Sequence, residues 1–352
     1  MSKNWCANAM SPQDVNRVKP LIVILGPTAV GKSRVAIPVA KAMGTEILTA
    51  DSRQVYRGMD IGMDKPTLEE RDGIPHRLID LVEPDQPFNV GEYRRLAIKE
   101  IARLHQEGRI PLVVGGTGLY IRALVRGLWE GPTANWDYRR QLSEVSRLYG
   151  EEALHRRLAA VDPELARELH PRDQVKIIRA LETYYLLGRP LSDIHREHGF
   201  GERLYATLLI GLTKKREAVY RAIDARVEAQ LARGLVRETQ HLLDRGYGRH
   251  LGSMKGLGYR QIVGYLAGEY SSEEAVRRLK RDTRHFAKRQ MTWFRKEPGI
   301  NWLVMEELEP VEHLAARALG LIQRFVSDLA AGACELSDQP VTVGVEEDGS
   351  DT

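Results

Sequence analysis

The segment Gly26-Pro-Thr-Ala-Val-Gly-Lys-Ser33 constrains this chain more than any other feature. It reads G-x-x-x-x-G-K-S, follows the apolar run Leu21-Ile-Val-Ile-Leu25, and opens a helical pattern that extends from Ser33 to about Met43. A buried strand that delivers a glycine-rich turn to a helix N-terminus makes an anion cradle. Backbone N–H groups wrap a phosphate chain, and the helix dipole favours negative charge there. Lys32 is placed to meet the anionic oxygens, and the Ser33 hydroxyl to ligate Mg2+. Gly26, Pro27, Thr28, Ala29, Val30, Gly31, Lys32 and Ser33 therefore form a candidate diphosphate site. The motif specifies a diphosphate and leaves open what carries it.

The surrounding pattern predicts an α/β fold, a P-loop-containing doubly wound parallel sheet with a helical insertion domain. Further strands are expected at 46–50, 77–82 and 110–114, with a helix over 93–107 between them. Alternating strands and helices with short connections imply a parallel sheet covered on both faces. Beyond about Leu128 the patterning turns helical and is broken at Pro163, Pro171 and Gly188, before a strand-like run at 205–210. Helices are expected over 215–245, 259–266 and 272–296. The expected organisation is a core of 19–127 plus 206–327, a helical insertion at 128–205, a disordered tail at 1–18 and an acidic disordered tail at 328–352.

Charge is unevenly spread. The total is only +4, but the last 25 residues hold seven acids and no Lys or Arg, and residues 21–327 carry a net +9. A basic body is a prompt to look for a polyanionic partner. Cys6 and Cys334 lie near the two termini, which excludes a disulfide framework or a cysteine zinc site. No apolar stretch approaches the ~18 residues a membrane span needs, and 1–19 lacks the apolar core of a secretory signal. The expectation is a cytoplasmic monomer.

Three more constellations carry chemistry. Asp51, closing the second strand in Thr49-Ala-Asp-Ser-Arg-Gln-Val-Tyr56, could hold Mg2+, act as a general base or simply cap a helix. Gly115-Gly-Thr-Gly-Leu-Tyr120 ends a strand in glycines where a hydrolase of this fold would place a metal-binding aspartate. Either these glycines let backbone approach a ligand, with Thr117 offering a hydroxyl, or they make a tight turn. The helix at 272–296, read as capped by Ser272, sets Arg277, Arg281, Arg284, Lys288 and Arg295 on one face. That face either tracks a phosphate backbone or is simply solvated.

Taken together the chain resembles the tRNA dimethylallyltransferase (tRNA isopentenyltransferase) family. The resemblance rests on G-P-T-A-V-G-K-S at 26–33, D-S-R-Q-V-Y-R-G-M-D-I-G at 51–62, P-H-R-L-I-D at 75–80 and G-G-T-G-L-Y at 115–120. It continues through R-A-L-E at 179–182, G-Y-R-Q at 258–261 and A-K-R-Q-M-T-W-F-R at 287–295, in order from about 20 to 303. It implies Mg2+-dependent transfer of a dimethylallyl group from dimethylallyl diphosphate to the exocyclic amine of the adenine 3′ to the anticodon of tRNA. Asp51 matches the family's proton acceptor, and Thr117 the threonine beside the reacting groups. Lys32 would grip the leaving diphosphate.

Carried over by the same resemblance, Ser52, Arg53, Gln54 and Arg139 match RNA-contacting positions. Lys176, Arg179, Lys255, Arg284 and Lys288 are further RNA candidates, and the insertion is expected to embrace the anticodon stem-loop. Two departures stand out. The family's Gln-Arg-x-x-Arg is Val175-Lys-Ile-Ile-Arg179 here, which keeps charge at 176 without the guanidinium fork. The family's Arg-Ile-Asp-x-Arg is Ala222-Ile-Asp-Ala-Arg226, leaving Arg226 as the diphosphate candidate. Two other classes use fewer motifs: a small-molecule kinase or ATPase, which needs only the phosphate loop, and a non-catalytic RNA-binding module, which needs only the basic helix.

Overall fold

The computed structural model describes residues 19–129, 131–199, 203–306 and 308–332. The tail expected at 1–18, and the acidic tail from 333 onward, lie outside the described residues. Among the described residues the chain divides into two compact units, one of 19–125 with 204–332 and one of 126–203.

The first unit is built on one sheet of parallel strands: β1 (Pro20–Leu25), β2 (Ile47–Ala50), β3 (His76–Arg77), β4 (Leu112–Gly115), β5 (Ala206–Thr213) and β6 (Ile300–Val304). Their spatial order is β3-β2-β4-β1-β5-β6. Its helices are α1 (Lys32–Met43), α2 (Val90–Gln106), α3 (Gly118–Arg126), α9 (Arg216–Ala232), α10 (Leu235–Asp244), α11 (Tyr259–Leu266), α12 (Ser272–Phe294) and α13 (Val311–Ala330). The second unit holds α4 (Trp136–Tyr149), α5 (Glu151–Val161), α6 (Pro163–Glu168), α7 (Gln174–Leu187) and α8 (Leu191–His198).

A parallel sheet must be covered on both faces, so its strands are apolar throughout. In β1, Ile22 and Ile24 pack with α1 and α13, whereas Leu21, Val23 and Leu25 pack with α2, α3 and Phe294. Register aligns the strand ends. Leu25 lies opposite Gly115 and Gly211, and Ala50 also lies opposite Gly115. The turns that follow β1, β2, β4 and β5 therefore leave the sheet at one edge, the place where open α/β sheets bind ligands.

Several sequence expectations differ from the structure. The strand expected at 77–82 shrinks to the two residues of β3, because Leu78 and Asp80 take left-handed backbone (φ 63° and 56°) that cannot extend a ladder. The single helix expected over 215–245 is broken by Gly234 at φ 101° into α9 and α10. Helix α12 is capped by Ser271, whose hydroxyl accepts the Glu274 N–H, rather than by Ser272. β6 and α13 have no counterpart in the sequence reading, and α13 runs to Ala330 with Leu329 buried, past the expected tail boundary at 328.

In the second unit one of two buried carboxylates, Glu182, ties α4 to α7. Glu182 is fully buried; its Oε1 accepts the Asn135 N–H at 2.7 Å and Arg139 Nε at 2.8 Å, and its Oε2 accepts Arg139 Nη2 at 2.8 Å and Arg179 Nη1 at 2.7 Å. Burial alone would raise its pKa, but the Arg139 and Arg179 bonds and the Asn135 N–H outweigh it, and the carboxyl sits below the usual range. A lowered carboxyl contributes stability that is complete above its unfolded value and is lost as pH falls through the folded one. Replacing Glu182 with leucine leaves two partly exposed guanidinium groups without their counter-charge. We expect a loss of about 3 kcal/mol, confined to 126–203 and read by hydrogen exchange. Unchanged exchange in α4 and α7 would rule this out.

Candidate functional site

The loop after β1 is shaped by close approach. Gly26 has φ 149°, and a Cβ there would lie 2.5 Å from the Leu212 carbonyl oxygen, so the turn can lie against β5 only as glycine. From α1, Lys32 folds back and donates from Nζ to the Pro27 carbonyl at 2.8 Å. Arg226, on α9, donates from Nη1 to Thr28 Oγ1 at 2.7 Å and places Nη2 3.0 Å from Asp64 Oδ2. Both cations named as candidates thus converge on residues 26–33.

Asp51 follows β2. Its Oδ1 accepts the Arg53 N–H at 2.8 Å and the Gln54 N–H at 3.4 Å. Oδ2 has no partner among the described residues. No helix follows Asp51 directly, so Oδ1 shapes a turn in place of the expected helix cap and leaves Oδ2 to the other two readings. Thr117, after β4, donates its N–H to the Ala50 carbonyl at 3.2 Å. Its Oγ1 accepts the Ser52 N–H at 2.9 Å and donates to Ser52 Oγ at 3.4 Å. The turns after β2 and β4 are bonded to each other, and Asp51, Ser52 and Thr117 are brought together.

The glycine-rich loop that continues from Asp51 is held both from within and by residues far away in sequence. Lys65, 4% exposed, donates to the Tyr56 carbonyl at 2.6 Å, to Asp60 Oδ1 at 2.8 Å and to Asp80. Glu238, on α10, accepts the backbone N–H groups of Asp60, Ile61 and Gly62 between 2.9 and 3.1 Å. Gln54 donates to the carbonyls of Met63 and Asp64, both at 3.2 Å, and Arg53 to that of Gly252 at 3.0 Å. The side chains of Arg53 and Gln54 are thus part of the loop's own frame.

The electrostatics favour an anion. Removal from water lowers Lys32 to about 8, with Arg226 adding to the effect and Asp51 and Asp64 opposing it. Burial also lowers Lys214, just beyond β5, with Arg34 and Arg226 as neighbouring cations. A diphosphate entering here would relieve this mutual repulsion. Tyr120, stacked on Tyr93 with ring centroids 4.1 Å apart, is pushed up by burial, with Tyr56 and Asp51 adding to the effect, and stays neutral.

The remaining RNA candidates separate into two groups. Lys255 and Lys288 are exposed and have no carboxylate partner among the described residues. Others are engaged: Arg139 and Arg179 grip Glu182, Lys176 pairs with Asp173 at 2.7 Å, and Arg284 bonds Asp224 at 2.5 Å while lying over the Tyr220 ring. On the expected basic face, Arg277 pairs with Glu274 and Arg281 with Asp282, so α12 presents less free charge than its spacing suggested. Residues of the site not singled out from sequence include Asp64, Lys65 and Glu238 around the loop after Asp51, and Lys214. Another is Gln290, which joins the phosphate loop to the turn after β4; it lies inside the quoted run at 287–295, but nothing in local spacing marks it.

Known proteins resemble this chain over most of its length. The IPP transferase family model matches residues 54–297. The chain is 50% identical over 287 residues to tRNA dimethylallyltransferase 2 of Geotalea uraniireducens, covering 82% of this chain and 93% of that relative. It is 48% identical over 300 residues to tRNA dimethylallyltransferase of Pelotomaculum thermopropionicum, covering 85% and 95%. Among solved structures, the full-length tRNA isopentenylpyrophosphate transferase of Bacillus halodurans aligns with TM-score 0.68 at 37% identity, over 89% of this chain and 99% of that one. A eukaryotic dimethylallyltransferase acting on tRNA aligns with TM-score 0.76 at 27% identity, over 88% and 80%.

Proposed function

The chain belongs to the tRNA dimethylallyltransferase (IPP transferase) family, and from that premise we propose that it transfers a dimethylallyl group from dimethylallyl diphosphate to the exocyclic amine of the adenine 3′-adjacent to the anticodon of tRNA. The products are isopentenyladenosine in the tRNA and free diphosphate. One observation carries the reading at this site: a cationic phosphate loop and an aspartate whose Oδ2 has no partner among the described residues leave the same sheet edge. Relatives named for allyl transfer to tRNA support this reading and not a kinase or ATPase.

Departure of diphosphate leaves positive charge on the allylic carbon and concentrates negative charge on the leaving oxygens. Lys32, Arg226 and the loop N–H groups stabilise that negative charge, and because they are held in place beforehand they need not reorganise as it develops. The attacking amine gains a positive charge when its nitrogen–carbon bond forms. Asp51 Oδ2 takes the proton it must shed, and the hydroxyl of Thr117, fixed by Ser52, orients the acceptor. The adenine leaves its stack to enter the site, at a cost offset by contacts to the surrounding anticodon loop.

For Mg2+, the Ser33 hydroxyl is exposed and has no protein partner among the described residues. No group of three His, Cys, Asp or Glu among them could hold a metal alone. Ser33 together with diphosphate oxygens fits Mg2+, which commonly binds through phosphates and few protein ligands. When bound, the ion supplies further neutralisation of the leaving group. Lys255, Lys288 and the second unit are assigned to the anticodon stem-loop, in a cytoplasmic monomer; no helix among the described residues is long and apolar enough to cross a membrane.

Incubation with dimethylallyl diphosphate, Mg2+ and bulk tRNA should yield isopentenyladenosine, detected by mass spectrometry of digested tRNA. Its absence from a reaction containing folded protein defeats this reading. Nucleotide hydrolysis without RNA, in place of allyl transfer, would favour the kinase or ATPase class.

A further inference from the structure

We propose that Gln290 is a positioning residue that holds the diphosphate loop in register with the Thr117 turn, so that α12 sets the distance between the leaving group and the proton-accepting side of the site. The proposal deepens the allyl-transfer reading and rests on it.

Gln290 is 9% exposed and uses both ends of its amide. Oε1 accepts the Thr28 N–H at 2.8 Å, and Nε2 donates to the Gly116 carbonyl at 2.8 Å. The first bond removes the Thr28 N–H from the set that can wrap a phosphate, so the diphosphate must be cradled by the other loop amides. Thr28 is then held twice, through its N–H by Gln290 and through its hydroxyl by Arg226. The second bond fixes the residue just before Thr117, whose own hydroxyl holds Ser52. A single side chain thus ties together the two turns that carry opposite ends of the reaction.

The fit admits little else. A Cβ on Gly116 would lie 2.5 Å from Gln290 Nε2 and 3.5 Å from Lys32 Nζ, so the amide and the ammonium meet the same glycine. Buried amide bonds of this kind are costly to break singly, because the abandoned partner is left without water. Glutamine is also the side chain of this length that accepts and donates at once while neutral. On the same helix, the neighbours Lys288 and Arg289 are exposed. The helix that faces an incoming polyanion is therefore the one that spaces the site.

The test compares Gln290→Met, which keeps length and loses both bonds, with Gln290→Glu, which keeps an acceptor for Thr28 and loses the donor to Gly116. The first readout is calorimetric binding of inorganic diphosphate with Mg2+, which does not require allyl transfer. Gln290→Met should weaken it by about 10-fold and Gln290→Glu by at least as much, because its carboxylate adds a negative charge beside the phosphate loop. The second is steady-state transfer with wild type as reference. Both variants should lower kcat by about 10-fold or more, since both release the Thr117 turn, while KM for tRNA stays within about 2-fold.

Wild-type diphosphate affinity and kcat in Gln290→Met overturn the proposal. A rise in KM for tRNA with kcat intact also overturns it, because Gln290 would then serve the RNA. Uniform loss of all parameters in step with a lowered melting temperature overturns it in favour of a packing role. A wild-type protein that binds diphosphate but transfers nothing would instead defeat the allyl-transfer reading, a separate result.

Discussion

Replacing Asp51 with asparagine is expected to slow allyl transfer by about 10²–10⁴-fold, the range that a positioned proton acceptor contributes. The structure makes asparagine the informative substitution. Oδ1 of Asp51 holds the turn through the Arg53 and Gln54 amides, and an asparagine oxygen can accept both. What asparagine cannot do is take a proton at the second position, where Asp51 Oδ2 has no partner among the described residues. Asp51→Ala removes the turn contacts as well and should be slower again. Affinity for tRNA, measured by filter binding, should stay within a few fold in Asp51→Asn. Single-turnover transfer by Asp51→Asn at the wild-type rate would remove Asp51 from the mechanism.

Loss of Lys32 should be comparably severe. Lys32→Met keeps the length of the side chain, deletes its charge and releases the Pro27 carbonyl. Removing one preorganised donor to a developing anion typically costs about 10²–10³ in rate, and the drop in kcat/KM should fall in that range. The same residue dictates a pH dependence. Free Lys32 titrates at about 8, lowered first by burial and then by Arg226. Diphosphate selects the protonated form, so binding above pH 8 takes up a proton and affinity falls by about tenfold per pH unit.

Calorimetry in two buffers of different ionisation enthalpy reads that proton directly. The unliganded fold should show the opposite trend. Its Lys32 sheds the proton near 8 while the unfolded chain holds it to about 10.5, so this residue adds stability as pH rises through that window. A proton uptake of zero at pH 9 would show that Lys32 is not the group the ligand sees.

Local signals were readable because they depend on neighbours in sequence. β1 announces itself as an apolar run, and the phosphate loop as a spacing of glycines before Lys32, so the sheet edge and half of the site were legible without coordinates. β6 was not, because Ile300–Val304 alternates poorly and is only partly buried at the sheet margin. α13 was missed although its buried residues from Leu314 to Leu329 follow helical spacing.

Contacts between distant residues were beyond reach for a different reason. Glu238 binds three amides some 176 to 178 positions earlier, and no periodicity encodes that meeting. The Glu182 clasp shows a related limit. Arg139 and Arg179 match RNA-contacting positions in pattern, yet the structure gives both a buried carboxylate to neutralise, and type and spacing alone cannot distinguish the two tasks.

The long reach of the contacts on Thr28 has a consequence for biosynthesis. Its two anchors lie 198 and 262 residues downstream. Contacts of such separation form only after the intervening chain exists and has lost its freedom, so they come late. A nascent chain halted on the ribosome before residue 290 carries every residue of the phosphate loop but lacks the amide that sets its spacing. The spacing that Gln290 is proposed to set would thus arrive only with roughly the last seventh of the described chain.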